Sequence, residues 1–472
     1  MNWVDPALPR RAFLGSIGLG TVSLALSRSP AQSAPSSRAE SISDDWAAAN
    51  ALAARIESPV FPERTLRADD LGAKPDGRTD CRTILQSAVD RLNAAGGGRL
   101  VIPSGVWWLD GPLHLKSRIH LHLEIGATLR FSSDPKRYLP LVLTRWEGTE
   151  AFNYSPCLYA YQASHVAVTG QGTIDGNAAE LCVDWRTRQK PAKALIRELG
   201  ARGAPVHERV FGEGHWLRWP LVQFFGCDHV LLEDFTAVQS PFWCLHTVSC
   251  RHVILRRLRV EGAHLNNDCF DPESSSFVLV EHCRFRSGDD CIAIKSGRDQ
   301  DGWRVGVPAE DIVIRHCDLE STTAAALAIG SEMSGGVRRV YVEHCRMGQA
   351  RYALNFKGNL DRGGIVEHVR MRHLTVGTAR EQLIQFTSDY QGLRGSSHPP
   401  TFRDFVLEDI TCQDALGTAL HFLGAPGAPV SDVVLRNITV ERAVTPLTHL
   451  HVERLTFDRV RINQHSVATP SS

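Results

Sequence analysis

The sequence predicts an all-β chain wound as a parallel β-helix. The first observation is a repeat. Segments beginning at Val230, Val253, Val278, Ile312, Val340, Val369, Phe405 and Val433 each run apolar, any, apolar, with a further apolar residue five positions after the start. Successive starts are 23 to 36 residues apart, inside the roughly 20–50-residue period of solenoids. The second is that the LxxLxLxxN consensus of the rival leucine-rich horseshoe is absent. The third is that 38 glycines and 24 prolines suit a chain made of short strands and many turns.

Taken in order, residues 1–34 read as an export segment. Arg10, Arg11, Ala12, Phe13 and Leu14 precede a weakly apolar stretch at 15–26 and the small residues Ala31, Gln32, Ser33 and Ala34. This resembles a bacterial twin-arginine signal and predicts a periplasmic or secreted protein. Residues 35–60 read as a polar linker with a short helix over 45–56. Residues 61–465 are expected to form a single β-helix domain, and 466–472 a tail. A second helix over 81–94 is predicted from Ile84, Leu85, Ala88, Val89 and Leu92 at helical spacing. Gly96, Gly97 and Gly98 stop it; no Lys-Ser/Thr follows them to make a phosphate loop. Strands follow over 99–103 and 119–123, with a rung corner at 126–129.

The 472 residues carry a formal net charge of +0, so there is no bulk electrostatic case for nucleic acid or an anionic membrane as partner. No apolar run reaches the ~18 residues of a membrane span. A monomer is expected. Twelve cysteines in an exported chain suggest disulfides. However, Cys283, Cys317 and Cys345 fall at the fifth position of the repeat, where Leu or Ile stands elsewhere, and read as stacked small hydrophobes. Cys227, Cys244 and Cys250 are left open to pairing. No CxxC or Cys/His spacing supports zinc.

The chemistry concentrates in residues 266–297. Asp268 and Asp289 are 21 residues apart with one clear strand, 277–285, between them. One circuit of a parallel solenoid returns the chain about 4.8 Å above its start, which places Asp268 under the Asp289–Asp290 pair. An isolated Asp-Asp is most often a turn. A pair one rung above another Asp, beside Lys295 and Arg298, is instead a cluster whose pKa values are forced apart into acid and base.

Asn267-Asp268-Cys269-Phe270-Asp271, Gly288-Asp289-Asp290-Cys291-Ile292-Ala293-Ile294-Lys295-Ser296-Gly297 and Ile329-Gly330-Ser331-Glu332-Met333-Ser334-Gly335-Gly336 resemble the motifs of glycoside hydrolase family 28, the polygalacturonases and related pectin hydrolases. The resemblance covers roughly residues 60 to 460. It implies a right-handed β-helix with a saccharide cleft, hydrolysis of α-linked galacturonic acid with inversion, and no metal or organic cofactor. By analogy Asp289 is the general acid, and Asp268 and Asp290 hold and activate the water, with the acid and base about 6.5–9.5 Å apart. The substrate is expected to be a pectic poly- or oligosaccharide. Lys357 matches the lysine of the family's Arg-Ile-Lys motif, which contacts a sugar carboxylate. Lys295, Arg298, His246, Asn267, Arg145, Trp146 and Arg218 are further candidates for substrate contact, and Glu147 and Trp243 sit in matched stretches. The stretch at 138–155 and the GSEMSGG run resemble exo-acting bacterial members.

Three departures surround the intact acids. Ala324 stands where the family's Gly-His-Gly histidine is expected. Asn355 replaces the arginine of Arg-Ile-Lys. Cys269 replaces a glycine, at a cost of about 1 kcal/mol if that backbone is left-handed. They suggest a hydrolase for a variant linkage. The alternative is a catalytically impaired homologue that binds oligouronides.

Overall fold

The chain forms a right-handed parallel β-helix. The structure, a computed structural model, describes residues 37–391 and 397–470; the predicted export segment lies outside them. Each rung contributes three strands, and each strand pairs in parallel with its counterpart one rung away. Thus Leu245–Val248 pairs with Phe270–Glu273, Arg251–Arg256 with Ser276–Glu281, and Arg259–Glu261 with Arg284–Ser287. The predicted strand over 277–285 is therefore two strands with a bend.

The register is continuous along the whole solenoid. One inward column runs Leu113, Leu158, Val222, Leu245, Phe270, Ile292, Leu327, Leu354, Ile384, Leu420 and Leu447. All but the last are buried in the core. The repeat starts from Val230 to Val433 make a second inward column. Because side chains alternate across a strand, their outward neighbours form columns too. One of these alternates in sign: Glu233, Arg256, Glu281, Arg315, Glu343, Arg372, Glu408, Arg436, Asp458. Arg315 Nη2 lies 2.7 Å from Glu281 Oε2, and Arg372 Nη2 2.7 Å from Glu343 Oε2.

Corners are made by left-handed residues at two fixed places, one before each repeat start and one before the fifth position. The first set includes His229, His252, Phe277 and Asp311; the second includes Asp234, Arg257, His282, His316 and His344. Asp, Asn and His tolerate this region better than other non-glycine residues. Here successive rings also stack on each other: His229 on His252 at 4.6 Å, His282 on His316 at 5.0 Å, and His316 on His344 at 5.2 Å between centroids.

Helices cap and decorate the stack. The first, α1 (Ser37–Ala54), places the Trp46 indole N–H against Glu408 at 3.3 Å, with the Arg372 guanidinium 4.0 Å from its ring. The second, α2 (Arg82–Ala94), buries Leu85, Ala88, Val89 and Leu92 against the first rungs. Between the strands Thr173–Asp175 and Val222–Phe225 the chain leaves the solenoid for α3 (Ala179–Arg188) and α4 (Lys190–Ala201). Ala192, Ile196 and Leu199 of α4 join Trp146, Phe211, Leu217 and Phe242 in a separate apolar cluster. A short helix, α5 (Asp299–Val305), follows the Lys295–Gly297 turn. An antiparallel hairpin, Val142–Trp146 with Thr149–Asn153, stands beside them.

Cys283, Cys317 and Cys345 occupy the core column expected of them, and the three cysteines left open to pairing are free. All eleven described cysteines are buried and free, counting from Cys81 to Cys412. A thiol reagent should therefore label at most one of the twelve cysteines in the native protein and all twelve after denaturation. Native labelling of four or more would contradict the packed thiol columns.

Candidate functional site

The site sits where consecutive rungs turn into the sheet that begins with Leu245–Val248, Phe270–Glu273, Ile292–Ile294 and Ala325–Ile329. Phe270 pairs with Ile292, so Asp268 and Asp290, each two residues earlier, occupy equivalent places on adjacent rungs. The Cys269 N–H donates to the Asp290 carbonyl at 3.1 Å, which fixes that stacking. Asp289 projects beside them and accepts the Asn266 N–H at 2.7 Å. The loop carrying Asn266 lies against Gly288: a Cβ there would meet the His264 carbonyl at 2.4 Å. Glycine before the acid pair thus allows the loop to reach Asp289.

The three carboxyls differ in their surroundings. Asp290 Oδ2 is 2.6 Å from Lys357 Nζ, and its Oδ1 accepts the Ala325 N–H at 2.8 Å. Burial, reinforced by the charge of Asp290, pushes the Asp289 carboxyl up. Burial pushes Asp268 well up as well, helped by the charges of Asp271 and Asp289. Its Oδ1 has no hydrogen-bond partner and its Oδ2 is 3.7 Å from Lys295 Nζ. Lys295 is buried, which disfavours its charge, but Glu332, Asp271 and Asp268 outweigh this and hold its pKa well above the usual lysine range. It lies 3.3 Å from Glu332, 3.4 Å from Asp271 and 4.6 Å from the Trp243 ring centroid.

These groups open into one pocket. It is lined by Asp268, Asp289 and Asp290 with Lys357, Lys295 and Trp243, by Glu147, Glu332, Lys193, Arg197, Arg298 and Arg362, and by Asn359 and Tyr390. Glu147 sits in a left-handed conformation at the tip of the hairpin. Its carboxylate accepts Lys193 Nζ at 2.6 Å and Arg197 Nη2 at 3.0 Å. Burial alone would raise its pKa, but Lys193, Arg197 and Arg298 bring it down to about 2. The next residue, Gly148, leaves room for Arg298, whose Cβ is 2.8 Å from where a glycine Cβ would be. Arg298 donates from Nη2 to Glu332 and from Nε to the Glu147 carbonyl. Glu332 is held far below the usual carboxylate range: burial opposes its charge, and Arg298, Lys295 and Arg362 overcome it. Among the described residues no set of three His, Cys, Asp or Glu is arranged to hold a metal ion.

Of the residues singled out in the sequence, Asp268, Asp289, Asp290, Lys295, Arg298, Lys357, Glu147 and Trp243 meet at this pocket. Five others are corrected to the interior. His246 is 1% exposed, clasped between Gln223 and Glu273 at 2.9 Å each, beneath Trp243. Burial lowers its pKa against the pull of Glu273. Arg145 is committed to Ser274, Glu150 and Glu273. Trp146 stacks on Phe242 and donates to the Arg218 carbonyl. Arg218 pins the Asn266 loop through Asn266 Oδ1 at 2.7 Å and Gln189 at 3.2 Å. Asn267 bridges the carbonyls of Ser240 and Phe242. All five shape the pocket from behind, for the same reason: polar groups of this size in the interior bond to backbone and to each other.

Two of the three departures also read differently. Cys269 is not left-handed, and its thiol points into the core, so it carries no backbone strain. Pairing of Ile292 with Leu327 sets Ala324 one rung from Asp289 and Ala325 one rung from Asp290, whose Oδ1 accepts the Ala325 N–H; Ala325 packs with Ala293, Ala328 and Tyr352. Asn355 pairs in register with Ala328 and is buried off the pocket. Lys193, Arg197, Arg362 and Tyr390 were not singled out. Lys193 and Arg197, four apart on a helix face, were the legible signal.

Carboxyls crowded on adjacent rungs at a cation-rich pocket fit the acid and base of a glycoside hydrolase. The profile of "Glycosyl hydrolases family 28" matches residues 219–454, half of the chain. The chain is similar to a crystal structure of an exopolygalacturonase from Thermotoga maritima, 36% identical, with TM-score 0.81, covering 87% of this chain and 96% of that one. A probable polygalacturonase of Vitis vinifera is 27% identical over 79% of this chain and 74% of its own. A family 28 exopolygalacturonase from Yersinia enterocolitica shares the fold at 20% identity, TM-score 0.71, over 87% of this chain and 77% of its own. The chain belongs to glycoside hydrolase family 28 and is a polygalacturonase-type hydrolase.

A carboxyl whose folded pKa is raised costs stability above its unfolded pKa, and that cost vanishes as pH falls below it. Asp289→Asn should therefore raise the thermal midpoint at pH 7, by about 2 °C, with the gain disappearing near pH 3. A lower midpoint at pH 7 would mean that Asp289 is not held at a cost.

Proposed function

We propose that the protein removes single galacturonic acid units from the ends of pectic chains by inverting hydrolysis of the α-glycosidic bond. One observation carries this: three crowded carboxyls share a pocket with six cations, Lys193, Lys295, Arg298, Lys357, Arg362 and Arg197. Asp289, its pKa raised, is suited to hold a proton and pass it to the glycosidic oxygen as the bond to C1 breaks. A water on the opposite face adds to C1 and gives its proton to Asp290, whose partner Lys357 stabilises the charge; Asp268 orients that water. The aglycone leaves as an alcohol and the anomeric configuration inverts. Six cations meet five carboxyls in the pocket, and burial disfavours the charge of two of these, Asp268 and Asp289, a balance that favours an anionic sugar.

Release from a chain end is supported by the likeness to the Thermotoga maritima exopolygalacturonase and by α4, which projects Lys193 and Arg197 into the pocket wall. Export through the twin-arginine-type segment, placing the enzyme in the periplasm or medium, is part of the same proposal. No described helix is long and apolar enough to cross a membrane.

Incubation with polygalacturonate, rhamnogalacturonan and oligogalacturonides should release monouronate from the wild type only, with Asp289→Asn at least a thousandfold slower. Longer first products would refute the exo mode. A junction disaccharide would mean a variant linkage. Binding without any product would leave the impaired-binder alternative standing.

A further inference from the structure

Two residues of the pocket lining, Lys193 and Arg197, come from a segment that does not belong to the solenoid. Helix α4 lies within the excursion between Thr173–Asp175 and Val222–Phe225. It is anchored by apolar residues, Ala192, Ile196 and Leu199. Its polar face need not hold it in place, yet that face delivers Lys193 and Arg197 into the pocket. The two are four apart, hence on one side of the helix, and about a quarter exposed, 29% and 24% at the side chain.

Their partner accounts for only part of their capacity. Each takes one oxygen of Glu147, and Arg298 Nη2 stands 3.6 Å from the second oxygen. Arg197 Nε is buried without a hydrogen-bond partner. In this lining Lys193, Arg197, Arg298 and Arg362 meet Glu147 and Glu332, and Asp299 lies 3.0 Å from Arg362, four cations to three anions. Meanwhile Asn355, at the place of the family's clamp arginine, is buried off the pocket. A uronate carboxylate in this site has no arginine on the rung beside Lys357. It has the Arg197 guanidinium and the Lys193 ammonium, each still partly exposed.

We infer that Lys193 and Arg197 form the carboxylate-binding subsite of this enzyme, so that recognition of the anionic sugar is carried by the α4 excursion instead of by the rung motif. The inference rests on the proposed uronate hydrolysis. The substrate carboxylate joins the Lys193–Arg197–Arg298 cluster, sharing the partly exposed Arg197 guanidinium and Lys193 Nζ with Glu147. A neutral or methyl-esterified sugar leaves the surplus positive charge uncompensated and binds less well.

The test uses the full-length protein and trigalacturonate, free acid against methyl ester. Lys193→Ala and Arg197→Ala should each raise KM for the free acid about tenfold, and together about a hundredfold, with kcat within about threefold. The preference for acid over ester should collapse in the double variant. Glu147→Gln, which keeps both cations and removes their competitor, should lower KM for the acid. Calorimetry of trigalacturonate on Asp289→Asn, with and without the double substitution, reads the same contacts without turnover. A double variant with KM and affinity within twofold of its parent, or a Glu147→Gln variant that binds more weakly, overturns the inference: the pair would then serve only to hold Glu147. So would an Asp289→Asn protein that binds no trigalacturonate. Turnover absent in the wild type with binding weakened in the double variant would sink the hydrolase reading and leave the subsite.

Discussion

Every feature of this protein that bears on chemistry depends on one constraint, the unbroken register of its rungs. Parallel strands repeat at about 4.8 Å, and a slip of one residue would turn every inward side chain outward. Two devices hold the register. Inside, the columns from Leu113 to Leu447 and from Val230 to Val433 bury their apolar side chains only when aligned. Outside, the column from Glu233 to Asp458 alternates in charge at each rung, so a displaced rung would leave its charge without the opposite one next door. Each surface pair contributes little, roughly 0–1 kcal/mol. As a sequence of pairs they oppose slippage along much of the solenoid.

Register is what makes the acid cluster possible. Asp268 and Asp290 face each other because Phe270 pairs with Ile292, and no local preference brings two aspartates together against their repulsion. Burial raises the pKa of Asp268 and Asp289, so their ionisation opposes folding. The stacked core supplies the stability that tolerates this. Glu147 and Glu332 show the opposite behaviour: buried too, they are held ionised by Lys193, Arg197 and Arg298 and by Arg298, Lys295 and Arg362. Their contribution is present above the ordinary glutamate pKa and lost as pH falls through the depressed one. One pocket thus contains two classes of carboxyl, those whose charge burial disfavours and those whose charge neighbouring cations hold.

Much of this was legible in the sequence, because period and motif are linear signals. The apolar repeat located the strands, and the fifth-position cysteines were read correctly as core. The position of Asp268 under the acid pair followed from spacing alone. What failed was direction. Nothing in a one-dimensional motif says whether Arg145, Arg218 or His246 points to the pocket or to the layer behind it, and all three bind interior partners. The corner residues were also missed, although their signal is present: His, Asp or Arg stands one before every start except Val278, which Phe277 precedes, and His, Asp, Asn or Arg again before the fifth position. Ala324 was placed beside the acid from its motif alone, and the pairing of Leu327 with Ile292 sets it one rung from Asp289.

The contrast between rungs and excursions explains where such a fold can change. A rung residue is constrained above and below: Asn355 touches the register through Ala328 on one side and Gln385 on the other. Replacing a clamp arginine there alters a stack. An excursion such as 176–221 is tied to the solenoid at its two ends and through its own apolar cluster, so a cation on α4 can be gained or lost without disturbing any rung. The acids sit on rungs, where stacking fixes Asp268 against Asp290. Charge recognition needs no such spacing. It needs a cation within reach of the sugar, and a helix leaning over the pocket provides one as well as a strand does.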